Sequence, residues 1–438
     1  MPGLLRLRAS FKLGVSVFPA IMRNLTVQVL LAAGLGVGLA MALGDGAGQF
    51  GALAGLVKVV FLDALRMLIA PLIFFSLIGG IAAIGNVVRL KTLGAATMAY
   101  YLGTTGIAAV LGLIGVFLIH PWTAYPPHAA PVETSLALID PSSGSLLAIL
   151  QGLLRSAFTN PFSALADLNV LGIVANAFLI GIAIAVVLPP DNLLTRAVDE
   201  INKVLARVLG WIILLLPVGI FAILFDFTQR MALGDSHPGH LLAQLGSFAA
   251  LVVALTLIHG TLVLPALARF LGGVGIAEFI RGIARPMLVA LSTSSSLATL
   301  PVTMRAAEDN LQIDPSVTSF VLPLGATMNM DGTALFEAVG AVFLAYLFGI
   351  DLSAVTIFII FLMAMVASIG APGMPSASMA GMQMVLLAVG IPLEGIAILL
   401  IVERPLDTIR TALNVEGDMT GAAIVTRIMG IRRKPVPA

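Results

Sequence analysis

Five residues near the C-terminus, Glu403, Asp407, Arg410, Asn414 and Asp418, are separated by four, three, four and four positions. At about 100° per residue they fall within an arc of roughly 80° on a helix. One face therefore presents carboxylate, carboxylate, guanidinium, amide and carboxylate in order. The flanking stretches 395–402 and 419–425 are apolar. Charges at membrane depth cost several kcal/mol unless paired or hydrated, so such a face turns towards a protein interior or a substrate pathway. The alternative, a solvated juxtamembrane helix, fits the apolar flanks less well.

Three polar interruptions elsewhere have chemistry of their own. Ser292-Thr-Ser-Ser-Ser296, followed by Pro301, lies between apolar flanks too short to be two spanning helices, and reads as the tip of a re-entrant hairpin. Irregular backbone at membrane depth lines protein or a wet cavity, and amides and hydroxyls exposed there can hold an anion. The run Gly325-Ala-Thr-Met-Asn329-Met-Asp331-Gly-Thr333 interrupts the apolar segment 317–347 and reads as an unwound turn. Free carbonyls with Asn and Asp oxygens suit a hard cation such as Na⁺, because they replace its hydration shell. Glu337, six residues beyond Asp331, falls on another face; a buried carboxyl there can carry a proton or be permanently paired. The third break, Ser368-Ile-Gly-Ala-Pro-Gly-Met-Pro375-Ser-Ala-Ser378, cannot continue a helix and reads as a second hairpin tip.

The elements that position these residues follow from composition. Of 438 residues 59% are hydrophobic and 10% charged, which defines a polytopic membrane protein of all-α class. Apolar stretches run over 25–43, 53–84, 93–119, 170–187, 208–225, 241–267, 317–347, 355–369 and 391–402. Several exceed the roughly 20 residues of a spanning helix, so tilts or breaks are expected. Without cysteine there is no disulfide, thiolate metal site or catalytic thiol, and a net charge of +1 gives no sign of a nucleic-acid partner. The first apolar segment, after Arg6, Arg8, Lys12 and Arg23, reads as a retained helix rather than a signal peptide. Basic residues then recur at alternate loops (Arg89 and Lys91; Arg196, Lys203 and Arg207; Arg269, Arg281 and Arg285; Arg427, Arg432, Arg433 and Lys434), whereas 121–150 has none. The positive-inside rule places both termini in the cytoplasm and that Pro-rich loop outside. Pro405 suits the first turn of a half-helix, so the charged face is expected to start at a break.

Ser294-Ser-Ser-Leu-Ala-Thr-Leu-Pro301, Asn329-Met-Asp-Gly-Thr333, Gly370-Ala-Pro-Gly-Met-Pro375 and Asp407-Thr-Ile-Arg-Thr-Ala-Leu-Asn414 resemble the motifs of the glutamate transporter family, the dicarboxylate/amino acid:cation symporters, as found in prokaryotic members. The resemblance covers nearly the whole chain. It implies eight transmembrane helices plus two re-entrant helical hairpins, with 355–369 as a hairpin limb, in a homotrimer working by an elevator movement. It also implies scaffold helices 1–2 in 1–90, transport-domain helix 3 in 91–120, an outward loop and scaffold helices 4–5 in 121–235, a transport domain in 236–430 and a cytoplasmic tail in 431–438. By the same analogy Arg410 takes the substrate's side-chain carboxylate, helped by Thr333, and Asp407 takes its amino group. Asn414 and the Ser294, Ser295, Ser296 tip take the α-carboxylate, with Met330 and Thr411 lining the site and Met374 and Pro375 in the gate. Three sodium sites are implied: Asp418, Asn414, Asn329 and the Gly325 carbonyl; carbonyls of Thr327, Ser368, Ile369 and Ala371; and Tyr101, Thr104 and Thr105 with Asn329 and Asp331. Glu337 matches a proton-carrying glutamate. The sequence departs from the family pattern at Ser294 and Thr408, where many members have an arginine at one or the other, at Leu297 in the serine run, at Glu403, where aspartate is common, and at Ser378, where glycine is common.

The function expected is secondary active uptake of an acidic amino acid, aspartate or glutamate, with Na⁺ and a proton through the cell inner membrane, and no enzymatic activity. Proton-coupled transport of glutamate or a C4-dicarboxylate is the alternative within that class. An intramembrane serine hydrolase needs a base near Ser292–Ser296, and none of His120, His128, His237, His240 and His259 is locally tied to those serines. A passive anion channel would not accumulate substrate against its gradient.

Overall fold

In a bilayer a backbone must satisfy its own hydrogen bonds, and helices do so within one segment. The computed structural model describes residues 25–89, 92–123, 151, 154–189, 191–232, 238–370 and 378–431, and contains helices and no strands among them. The loop 121–150 beyond Thr123, the tail beyond Ile431 and the second hairpin tip at 371–377 lie outside the described residues, as do Ala371, Met374 and Pro375.

The first part of the chain forms α1 (Leu25–Leu43), α2 (Gly48–Arg89), α3 (Thr92–Ile119), the short α4 (Pro161–Ala166), α5 (Val170–Val187), α6 (Leu193–Leu214) and α7 (Leu216–Ala232). Helices α1 and α5 coincide end to end with apolar stretches in the sequence. The expected single segment over 208–225 is corrected: α6 and α7 meet at Leu215 with a bend of 54°. Pro217 explains the break, since it has no N–H to give the carbonyl of Ile213 four residues back yet fits the first turn of a new helix.

The second part forms α8 (Pro238–Ile258), a π-helical turn (His259–Val263), α9 (Leu264–Phe270), α10 (Ile276–Thr293), α11 (Ser296–Asp309), α12 (Pro315–Met328), α13 (Asp331–Leu347), α14 (Ala354–Gly370), α15 (Ser378–Val389) and α16 (Glu394–Ile428). The π turn precedes Pro265, which cannot donate to the carbonyl four residues back; the Leu264 N–H bonds to the His259 carbonyl instead, one residue out of α register.

Among the described residues, α2, α3, α5, the run 240–270 and the run 315–347 are each long and apolar enough to cross a membrane, and α6 with α7 makes a sixth if the bent pair is one span. Counting α1 and α16 gives the expected eight, with α10–α11 and α14–α15 as the hairpins. Composition alone overlooks α16, because its polar face dilutes its hydropathy. The expectation that this face starts at a break is corrected as well: α16 runs unbroken for 35 residues with Pro405 inside it.

Two groups of helices pack chiefly among themselves: α1, α2, α5, α6 and α7 in one, and α3 with α8 to α16, gathered on α13 and α16, in the other. Lys58 of α2 and Asp226 of α7 form an ion pair at 2.6 Å within the first group. Between the groups α2 touches α14 and α15, and Arg66 lies 3.6 Å from Glu394 at the start of α16. Helix α13 is the centre of the second group and is buried almost throughout. One of its faces is aromatic: Phe343 packs edge-on to Trp122 at 5.0 Å and stacks on Phe248 at 4.8 Å, while Phe248 meets Phe336 at 5.9 Å. Such pairs add about 0.5–1.5 kcal/mol each beyond their buried area.

Candidate functional site

The charged face of α16 is buried along its length: Glu403, Asp407, Arg410, Asn414 and Asp418 are each 7% exposed or less. Its partners divide it in two.

In the first half, Arg410 Nη2 donates to Glu403 Oε1 at 3.1 Å, to Asp407 Oδ1 at 3.2 Å and to the Ser378 hydroxyl at 3.0 Å. The guanidinium carbon stands 3.9 Å over the Phe336 ring, a cation–π contact. Arg410 Nε and Nη1 have no hydrogen-bond partner among the described residues. Glu403 and Ser378, two of the departures noted in the sequence, therefore act together as partners of Arg410. Thr411 Oγ1 donates to the Asp407 carbonyl at 2.7 Å. Thr408, in contrast, bonds the Pro405 carbonyl on a more exposed side.

The second half meets the break between α12 and α13, which is narrower than the run 325–333 suggested. Only Asn329 and Met330 leave the helix; Gly325 remains helical, accepting from the Asn329 N–H at 2.9 Å, and Gly332 sits in the first turn of α13. Gly332 is glycine for contact rather than for unwinding: a Cβ there would lie 3.0 Å from the Arg410 backbone. Its N–H donates to Asn414 Oδ1 at 2.8 Å, which ties the start of α13 to α16. Asn329 Nδ2 donates to Asp418 Oδ1 at 3.1 Å, and its Oδ1 accepts from Thr104 at 3.2 Å. Thr105 donates to Asp331 Oδ1 at 2.9 Å, and the Tyr101 hydroxyl donates to the Val321 carbonyl at 2.5 Å. Tyr101 and Asp418 both border Gly325. Two of the three oxygen sets read from the sequence are thus brought together from α3, α12, α13 and α16. Of the remaining set, Thr327 is on α12 and Ser368 and Ile369 are on α14, two helices in contact, with no hydrogen bond joining these three residues among those described.

The first hairpin turns at Ser294, whose φ of 49° is left-handed, and Ser295 Oγ caps α11 by accepting from the Ala298 N–H at 3.2 Å. Ser294, Ser295 and Ser296 are buried, and both limbs pack on α16. Thr333 and Met330 are buried beside the break, with the Thr333 hydroxyl 3.9 Å from the Met330 sulfur. Glu337 is fully buried against Gly381 of α15, and neither of its oxygens has a hydrogen-bond partner among the described residues.

His259 is a residue that local reasoning passes over. Its Nε2 lies 3.0 Å from Asp331 Oδ2, both side chains being fully buried, although 72 positions separate them. The available signal was the imidazole itself, a polar ring inside an apolar span, which calls for a partner.

The family described as "Sodium:dicarboxylate symporter family" matches residues 25–428. The "Putative sodium-dependent excitatory amino acid transporter glt-4" of Caenorhabditis elegans is 32% identical over 411 residues, covering 84% of this chain and 81% of that protein. "Excitatory amino acid transporter 2" of Rattus norvegicus is 33% identical over 414 residues, covering 84% and 71%. "Excitatory amino acid transporter 3" of Homo sapiens is 31% identical over 414 residues, covering 84% and 78%. With its apolar helices, this is a multi-pass membrane protein that belongs to the sodium:dicarboxylate symporter family.

Proposed function

We propose that the protein is a secondary active symporter that takes up an acidic amino acid, aspartate or glutamate, together with Na⁺ and, through Glu337, a proton. The names of its relatives support sodium dependence and an acidic amino-acid substrate. The observation that carries the reading is Arg410: a fully buried guanidinium that spends one nitrogen on Glu403, Asp407 and Ser378 and keeps Nε and Nη1 without hydrogen-bond partners among the described residues. Two parallel N–H groups of a planar fork match a carboxylate. Asp407 beside it offers an acceptor for an ammonium. A C4-dicarboxylate has no ammonium and would bring a carboxylate against Asp407, which favours the amino acid.

Asn329, Asp331, Asn414 and Asp418, with the hydroxyls of Tyr101, Thr104 and Thr105, supply the oxygens for co-transported Na⁺, which is cargo here and not a prosthetic group. The helices α3 and α8 to α16 form the moving transport domain, and α1, α2, α5, α6 and α7 the scaffold of a homotrimer in the inner membrane, with both termini cytoplasmic. The separate packing of the two groups and the alternation of basic loops support this arrangement.

Tracer uptake into proteoliposomes tests the reading. Arg410→Cys loses aspartate uptake and gains transport of a neutral amino acid such as serine. Full aspartate uptake by that variant would overturn the assignment. Succinate uptake matching that of aspartate in the unaltered protein would favour the dicarboxylate reading, and uptake driven by a pH gradient with no sodium present would remove the sodium claim.

A further inference from the structure

One carboxyl of α16 is used by none of this. Glu416 is about 200° around the helix from Asn414, on the side away from the break, and it is 2% exposed. It lines a cavity of 440 Å³ between α8, the π turn, α10 and α16. The rest of the lining is apolar apart from Thr256 and Thr261; Val253, Ile283, Met287 and Leu413 are typical, and the cavity has no basic residue among its described lining. Leu257, Ile280 and Leu291 are exposed and stand at its open side.

Two polar groups in this greasy space lack partners. The Thr256 hydroxyl is buried with no hydrogen bond among the described residues. The Glu416 carboxyl makes no ion pair or hydrogen bond among them either. Room has been left for it: Gly260, in the π turn, would carry a Cβ 3.1 Å from Glu416 Oε2 and 3.0 Å from Leu413 Cδ1. A buried carboxylate without a counter-charge is strongly unfavourable, and a cation that arrives with its own apolar body relieves that cost while filling the cavity. A metal ion would find one carboxylate and few other oxygens, and an anion would find the wrong charge.

We propose that this cavity binds a lipophilic amine, a molecule with an apolar body and one ammonium group. The ammonium pairs with the Glu416 carboxylate and donates a hydrogen bond to Thr256 Oγ1, and the apolar body lies against α8 and α10. The site is separate from the Arg410 and sodium residues, and the inference is independent of the transport reading.

The test uses the full chain in phosphatidylcholine nanodiscs, with a fluorinated phenylbutylamine as probe, the matching phenylbutanol as its neutral counterpart, and fluorine NMR as the readout, corrected with protein-free nanodiscs. The amine binds saturably. Its affinity falls by about tenfold in Glu416→Gln, which removes the charge, and by about threefold in Thr256→Val, which removes one hydrogen bond. The alcohol binds more weakly and is indifferent to Glu416→Gln. In Ala412→Phe, which fills the cavity and keeps the carboxyl, amine binding is lost. Amine affinity unchanged in Glu416→Gln, amine binding retained in Ala412→Phe, or alcohol binding as tight as amine binding would each overturn the proposal, the last by identifying a crevice for any apolar chain.

Discussion

The first turn of α13 and the turn after it hold one carboxyl each, both fully buried and six residues apart, yet their surroundings are opposite. Asp331 faces α3 and the π turn, where the Thr105 hydroxyl and the His259 ring meet its two oxygens. Glu337 faces α15, where Gly381 makes room for it and no donor among the described residues meets either oxygen. A carboxyl met by donors on both oxygens suits, in the proposed function, a place beside a bound cation. A carboxyl given space and no donor among the described residues suits, in the proposed function, the carriage of a proton. In the proposed function one helix thus carries two kinds of coupling, separated by less than two turns.

The sharpest way to break that contrast is Asp331→Asn. We expect sodium-driven aspartate uptake to fall roughly a hundredfold, the scale for removing one member of a buried charged network, measured as initial tracer uptake in proteoliposomes. Uptake within twofold of the unaltered protein would detach Asp331 from sodium. His259→Leu leaves Asp331 in place and removes one neighbour. It should cost about 1–3 kcal/mol of stability through the unpaired Oδ2 and raise the sodium concentration for half-maximal uptake by roughly tenfold, whereas an unchanged sodium dependence would make His259 a packing residue alone. Glu337→Gln should fold as well as the unaltered protein, since no hydrogen bond among the described residues is lost, and keep sodium-driven uptake. Only the stimulation of uptake by an inward proton gradient should vanish, and its persistence would assign the proton elsewhere.

The smallest effect belongs to an ion pair in water. The hydrogen bond and the charge of Arg196 hold the Asp191 carboxyl below the usual carboxylate range. A lowered value means that the pair favours the fold above the ordinary carboxylate range and loses that contribution as pH falls through the lowered one. Both side chains are largely exposed, so solvent screens the pair. Asp191→Asn should leave the thermal midpoint unchanged at neutral and mildly acidic pH, and a clear drop would show that α6 depends on its polar end.

What the sequence revealed and what it did not can be traced to the range of each interaction. Helices α1 and α5 are local: an uninterrupted apolar run in lipid has one regular solution, and its ends are its last apolar residues. The serine tip and the Asn-Met-Asp break were legible because polar residues at membrane depth need a reason. The bend at Leu215 was hidden, since Pro217 lies in an apolar run whose hydropathy does not change there. At Pro405 local rules misled, because packing on α10, α12 and α13 keeps the helix continuous through a residue that removes one of its hydrogen bonds. His259 could not be paired with Asp331 from spacing, nor Ser378 with Arg410 and Glu403, as those contacts join separate helices and exist only after they pack.

The unbroken course of α16 has a mechanical consequence. Thirty-five residues at 1.5 Å each make a rod about 52 Å long, and every group from Glu403 to Asp418 is mounted on it at a fixed interval. The separation between the Arg410 fork and the Asp418 oxygen is therefore set by helical pitch. Opening or closing the site must come from neighbouring segments sliding against this rod, and α16 is the natural reference frame in which their displacements are to be measured.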